Sequence, residues 1–192
     1  PEVLTLPTDF VRRADRNRIA SYVPIEISEK TSKSVEELAL RYGTTPFAVL
    51  MGMFALLLGR LARQNSVVLG VPVAGRNTSD AEDLVGFFVN TLPLHLELDD
   101  VLTGVDLIEK SRQVSLDALS HQEAPFERLV EELTDTRSLS HSSIFQASFV
   151  FQTQGAPKLS LDGVTVTPMD VGHPVAKFDL TMFLYSQANG SI

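Results

Sequence analysis

Cysteine and tryptophan are both missing from the 192 residues. Without cysteine there is no disulfide framework and no thiolate metal or redox chemistry, which fits a reducing compartment. Basic residues are scarce as well. Sixteen Lys+Arg stand against 24 Asp+Glu, a formal net charge of −8. That balance, with no basic stripe to offset it, argues against a nucleic-acid partner. No apolar run reaches the ~20 residues that cross a bilayer. The nearest, Phe47 to Leu58, ends at Gly59-Arg60 and predicts a buried core helix, so no membrane partner is expected. No signal peptide is visible either. The four histidines (His95, His121, His141, His173) show no HxxH or HExxH spacing, so no metal site is expected. Gly70-x-Pro72-x-x-Gly75-Arg76 is not a phosphate-cradling loop, because Pro72 sits where a backbone donor is needed. No GxSxG elbow occurs, and His141-Ser142-Ser143 reads as a turn before a strand rather than part of a triad.

What is present is an ordinary apolar complement, 44% hydrophobic with 11 Phe, arranged with clear periodicity. The stretch from Val67 to Leu98 carries the strongest pattern. A β-branched run, Val67 to Val73, breaks at Ala74-Gly75-Arg76-Asn77, crosses a polar segment and returns through an apolar piece, Val85 to Thr91. Leu92, Leu94, Leu96 and Leu98 then alternate with Pro93, His95 and Glu97, the period of a half-buried strand, with Pro93 favouring an edge or a bulge. Residues 1–20 have little periodicity and read as an extended, charged linker on the surface. Ser21 to Ile27 is a short strand candidate.

Helices are expected over about Ser28–Tyr42, with Gly43 as its stop, and from Thr45-Pro46 to Leu61 with apolar residues nearly all round. Two more are expected, over Gly104–Ser120 with Val105, Ile108, Ser115 and Leu119 inward, and over Phe126–Leu133 after Pro125. Ile144–Phe151 and Phe178–Tyr185 predict strands, Asp162-Gly163 a small hairpin turn, and Asn189-Gly190 a type I′ turn. The fold class that follows is α/β, a mixed sheet layered with helices. Because the chain begins at Pro1 and stops two residues after the last turn, it is expected to be a piece of a longer polypeptide.

Four segments together carry a resemblance: Val71-Pro72-Val73-Ala74-Gly75-Arg76-Asn77, Gly86-Phe87-Phe88-Val89-Asn90-Thr91-Leu92, His121-Gln122-Glu123-Ala124-Pro125-Phe126-Glu127, and Ser140 to Phe149. In order and spacing they resemble the motifs in the second half of the condensation domains of nonribosomal peptide synthetases, and Leu6-Pro7-Thr8-Asp9 resembles that family's mid-domain linker. The resemblance implies one lobe of a chloramphenicol-acetyltransferase-like two-lobe fold, with residues 1–20 as inter-lobe linker and 21–192 as the C-terminal lobe. It implies amide formation between a carrier-bound acyl or peptidyl thioester and a carrier-bound amine, in a cytoplasmic assembly line. The implied partners are the N-terminal lobe, upstream and downstream carrier proteins and an adjacent adenylation domain. No cofactor would be intrinsic; 4'-phosphopantetheine would arrive on the carriers. The family's HHxxxDG motif is absent from this chain, so no catalytic residue is expected here.

By the same resemblance Arg76 would form a buried salt bridge to the other lobe. Asn77 to Asn90 would form the floor of the substrate tunnel, lined by Gly75, Asn77, Gly86, Phe87, Asn90 and Thr91, with Gln146 and Gln152 also facing it. Asn90 would contact substrate or satisfy backbone, the latter being favoured, and His121 would be a hydrogen-bonded structural residue. Lys158 to Gly172 would bridge to the other lobe. Ser143 stands where the family usually has Pro, Glu123 where Asp is usual, and Asn65-Ser66 where acidic residues are common. Epimerising, cyclising and ester-forming relatives share this half, and a non-catalytic module that docks carriers or neighbouring domains is the alternative from another class. An exposed apolar patch is expected where the other lobe would meet this one.

Overall fold

The computed structural model describes residues 3–11, 19–76, 79–82, 84–98, 103–133, 144–153, 161–167, 169, 175–187 and 190–192. Its elements are helices α1 (Glu29–Arg41) and α2 (Pro46–Ala62), strand β1 (Ser66–Val73), the short α3 (Ser79–Glu82), strand β2 (Asn90–Glu97), helices α4 (Gly104–Ser120) and α5 (Phe126–Leu133), and strands β3 (Ala147–Gln152) and β4 (Leu180–Tyr185). The sheet runs β2-β1-β3-β4. β2 is antiparallel to β1, while β3 is parallel to both β1 and β4. The expected mixed α/β layering is therefore present. Pro93 sits on the edge strand, opposite Gly70, where its missing N–H leaves no gap in a central ladder.

α1, α2 and α4 each start where a side chain can satisfy free N–H groups. Ser28 accepts from Thr31 N–H at 3.3 Å and Thr45 from Ala48 N–H at 3.2 Å, the latter followed by Pro46 in the first turn. α4 opens with a capping box: Thr103 Oγ1 accepts from Asp106 N–H, and Asp106 accepts in return from Thr103 N–H. Hydrogen bonds from the Thr103 side chain and backbone hold the Asp106 carboxyl below its ordinary pKa. α1 is closed by Gly43 at φ 58°, as expected, whereas α2 closes on Arg63 at φ 55°, a left-handed position that glycine would occupy more easily.

α2 and α4 cover one face of the sheet. Met51, Phe54, Ala55 and Leu58 meet Leu69, Val71, Leu92, Leu94, Leu96, Leu98 and Phe149 there. Phe149 lies between Phe47 and Phe54, with ring centroids 5.6 and 5.8 Å away. On the opposite face α5 lays Phe126, Leu129 and Val130 over Val68, Ile144 and Phe145. The Phe145 ring stands 5.5 Å from Phe126 and 4.9 Å from Phe178. It fills the space where a Gly70 side chain would be.

Several expectations need correcting. α2 is not buried all round: Met53, Leu57 and Leu61 are 40%, 52% and 52% exposed, because the sheet, α1 and α4 leave its outer stripe open. On α4 the inward residues are Leu107, Ile108, Ser111 and Ser115, while Val105 and Leu119 are exposed. Leu133 of α5 is likewise exposed. Ser21–Ile27 is not a strand. It has one ladder contact, at Ile27, which exchanges N–H···O bonds of 2.8 and 3.1 Å with Ile192. The first residues are more than a surface linker. Leu4 is buried, its N–H donates to Gln146 Oε1 at 2.7 Å, and Gln64 brackets the chain through Thr5 N–H and Val3 C=O.

At Asp162-Gly163 the described residues hold the bridge Leu161 to Val164, with Gly163 at φ 72°; Leu159 and Ser160 lie outside the described residues. Gly190 has the positive φ expected of its turn, and Gln187 N–H bonds Ser191 C=O across it, while Asn189 lies outside the described residues. Among the described residues no single helix is long and apolar enough to cross a membrane.

Ser111 is fully buried where α4 crosses α2 at Gly52, and its hydroxyl has no hydrogen-bond partner among the described residues. Leaving that hydroxyl unpaired costs free energy. Ser111→Ala is therefore expected to be neutral or stabilising in urea denaturation. Gly52→Ala, which would drive a methyl against Ser111, should lose about 1–3 kcal/mol. The Asp106 cap gives the acid limb its sign: a lowered native pKa means its contribution is present at neutral pH and lost as pH falls through that pKa. Asp106→Asn should flatten that part of the acid-unfolding curve.

Candidate functional site: the loop between the first two strands

β1 ends at Val73 and β2 begins opposite it at Asn90, so residues 74–89 form a loop whose ends are held by the antiparallel ladder. Its neck is built from three residues. Gly75 has φ 64°, and a Cβ there would collide with the Phe88 carbonyl, so both conformation and space demand glycine. A Cβ on Gly86 would come within 2.8 Å of the Phe88 ring. Arg76 lies over the same ring, its guanidinium carbon 4.5 Å from the centroid, and its Nη1 donates to the Ala81 carbonyl at the end of the short α3. A cation over an aromatic face is worth about 0.5–2 kcal/mol depending on exposure. Phe88 is thus the post around which Gly75, Arg76 and Gly86 are arranged.

Beyond the neck the described part of the loop does not return into the core. Leu84, Val85, Phe87 and Val89 are 54%, 104%, 91% and 50% exposed. These side chains form an exposed apolar tip with no described element packed beneath them. Asn77 lies outside the described residues.

At the far end of the loop, Asn90 Nδ2 donates to the carbonyls of Gln122 at 2.9 Å and Ala124 at 2.8 Å, and Oδ1 accepts from Phe126 N–H at 3.2 Å and Thr91 N–H at 2.9 Å. These partners are all backbone groups, in line with the favoured reading of this side chain. Half-buried Thr91 follows as the second residue of β2. His121 caps the C-terminus of α4, with Nδ1 2.8 Å from the Asp117 carbonyl and 2.9 Å from Ser120 Oγ. A carbonyl can only accept, so Nδ1 is the donor in the contact with Asp117. His95 Nε2 pairs across the strands with Ser66 Oγ at 2.6 Å.

The two glutamines separate. β1 and β3 are parallel, so Gln152, exposed at the end of β3, lies at the same end of the sheet as the loop. Gln146 precedes β3, at the opposite end, and its buried side chain holds Leu4. Lys158–Gly172 is described only at 161–167 and 169, and His141–Ser143 lie outside the described residues. Among the described residues no three His, Asp or Glu side chains converge as a metal site. The roles of Phe88 and Gln64 were not anticipated from the sequence; Gly86 two residues before Phe88 was the available signal for the first.

A mixed four-stranded sheet covered by helices is the architecture this chain shares with condensation domains of the chloramphenicol-acetyltransferase-like fold. A family model for the condensation domain matches residues 1–192, and the chain belongs to the condensation-domain family of nonribosomal peptide synthetases. It is 38% identical over 190 residues to malpinin synthetase of Mortierella alpina, covering 99% of this chain and 2% of that protein. It is 36% identical to one of the linear gramicidin synthase subunits of Brevibacillus parabrevis, covering 98% of this chain and 4% of that one. The chain thus spans a few per cent of the length of these relatives. Among solved structures, a four-domain nonribosomal peptide synthetase bound to AMP and glycine superposes with a TM-score of 0.75 at 30% identity, over 78% of this chain and 11% of that one. The X-domain from teicoplanin biosynthesis superposes with a TM-score of 0.90 at 21% identity, over 97% of this chain and 42% of that one.

The neck predicts a contrast between two glycines. Gly43→Ala meets open space and should cost only the strain of a positive φ, about 1 kcal/mol. Gly75→Ala adds a collision with backbone and should cost at least about 2 kcal/mol, read as a larger fall in denaturation midpoint.

Proposed function

We propose that this chain is the C-terminal lobe of an amide-forming condensation domain. It supplies one wall and the floor of a tunnel in which a carrier-bound acyl or peptidyl thioester meets a carrier-bound amine. The observation that carries this reading is the loop at 74–89: a rigid neck on Gly75, Arg76 and Phe88 that presents an apolar tip, Val85 and Phe87, to the outside. A single lobe rarely keeps such side chains in water unless another surface meets them. The wide coverage of this chain against 42% of a solved neighbour supports the same division into lobes.

In this reading the general base is supplied by the other lobe, and the work of this one is electrostatic and geometric. The Arg76 guanidinium, aligned by the Phe88 ring and the Ala81 carbonyl, forms a salt bridge with a carboxylate of the other lobe. Breaking such a buried pair by removing one member costs about 3–5 kcal/mol. The loop between Arg76 and Asn90 closes the tunnel from below and excludes water from the thioester. Phosphopantetheine arms come with the carrier proteins, and the domain works in the cytoplasm beside an adenylation domain.

The test uses loaded carrier proteins with the complete two-lobed domain and with this chain alone. The complete domain is expected to form the amide and this chain to form none; turnover by this chain alone would sink the split-site reading. In the complete domain Arg76→Ala should lower both stability and condensation rate. Arg76→Lys should rescue little, because an ammonium cannot reproduce the flat guanidinium over Phe88.

A further inference from the structure

Asn90 stands where the loop ends and β2 begins, and its side chain carries four hydrogen bonds. Nδ2 donates to Gln122 and Ala124 C=O at 2.9 and 2.8 Å; Oδ1 accepts from Phe126 and Thr91 N–H at 3.2 and 2.9 Å. An amide has two donor hydrogens and two acceptor lone pairs, so its capacity is filled. Three of the four partners belong to the α4–α5 turn, 32, 34 and 36 residues away in sequence. We propose that Asn90 is a positioning residue: it ties the exit of the 74–89 loop to the α4–α5 turn and so sets where the loop's apolar tip stands during the reaction. The proposal rests on the reading of that loop as a tunnel floor.

The turn is a firm anchor. Phe126 packs against Phe145 with ring centroids 5.5 Å apart, and Phe145 lies over Gly70 in the middle of β1, so the loop exit is keyed to the centre of the sheet. The other end of the loop is held independently, by Gly75 against Phe88 and by Arg76 over the same ring. Between the two anchors Val85 and Phe87 stay in solvent. An apolar tip held out in this way would move through a wider range of positions if either end were released. The chemistry of the knot also selects the residue. Aspartate would turn a carboxylate oxygen towards two carbonyl oxygens, serine cannot span both, and glutamine is one methylene too long for the same geometry.

The chain has no tryptophan, so Phe87→Trp places a single fluorescent reporter at the exposed tip. In this chain carrying that reporter, Asn90→Ala and the near-isosteric Asn90→Asp should both raise local rotational freedom at position 87, seen as lower anisotropy. Amide exchange over 84–91 and 121–126 should quicken by about tenfold or more, with β1 and α2 unchanged. Condensation kinetics, measured with Phe87 intact, should show kcat falling by about tenfold with KM for the loaded carriers little moved. Unchanged anisotropy and loop exchange in both variants would overturn the proposal, as would exchange quickened equally throughout the chain. If the unsubstituted domain forms no amide, the tunnel reading fails instead, and the anisotropy and exchange results still decide whether Asn90 sets the loop.

Discussion

An amide side chain at a strand end must find partners for four hydrogen-bonding positions, and Asn90 finds three of them in a turn more than thirty residues away. Much of the arrangement around the loop depends on that requirement. It fixes the start of the edge strand β2 against the start of α5, and so joins the helix on one face of the sheet to the hairpin that carries the candidate site. Unpaired, the same groups would leave two carbonyls and an N–H without partners at a half-buried junction.

The second constraint is steric. Glycines stand where two pieces of chain must touch: Gly70 under Phe145, Gly52 beside Ser111, Gly75 against the Phe88 carbonyl. The first two let core layers close, in keeping with the dense packing of protein interiors. The third shapes a loop neck, and with Arg76 lying on Phe88 it converts a sixteen-position connection, 74–89, into a stem with a projecting apolar tip. His95 bonds Ser66 across the strands, His121 bonds the end of its own helix, and the Arg76 guanidinium lies over the Phe88 ring.

Helix positions were legible because caps and periodicity coincide. Thr45-Pro46, Thr103 with Asp106 three residues later, and Gly43 mark ends that the backbone obeys. Which side of each helix is buried was less legible. The outer stripe of α2, Met53-Leu57-Leu61, is as apolar as its inner one, so periodicity could not tell which neighbours would cover it. Ser21–Ile27 has the composition of a strand, yet its only described ladder contact is at Ile27, and a strand is defined by its partner as much as by its residues.

The sequence alone determined the helix ends, the alternating edge strand with its proline and, through four motifs in register, the condensation-domain family. These are local properties, carried by capping chemistry, side-chain period and short words of sequence. Tertiary structure decided that Val85 and Phe87 stand in solvent, that Gln146 and Gln152 lie at opposite ends of the parallel pair, and that Asn90 is bonded to the α4–α5 turn. Each of those depends on which distant segments become neighbours, and sequence distance carries no information about that until the sheet order and helix packing are set.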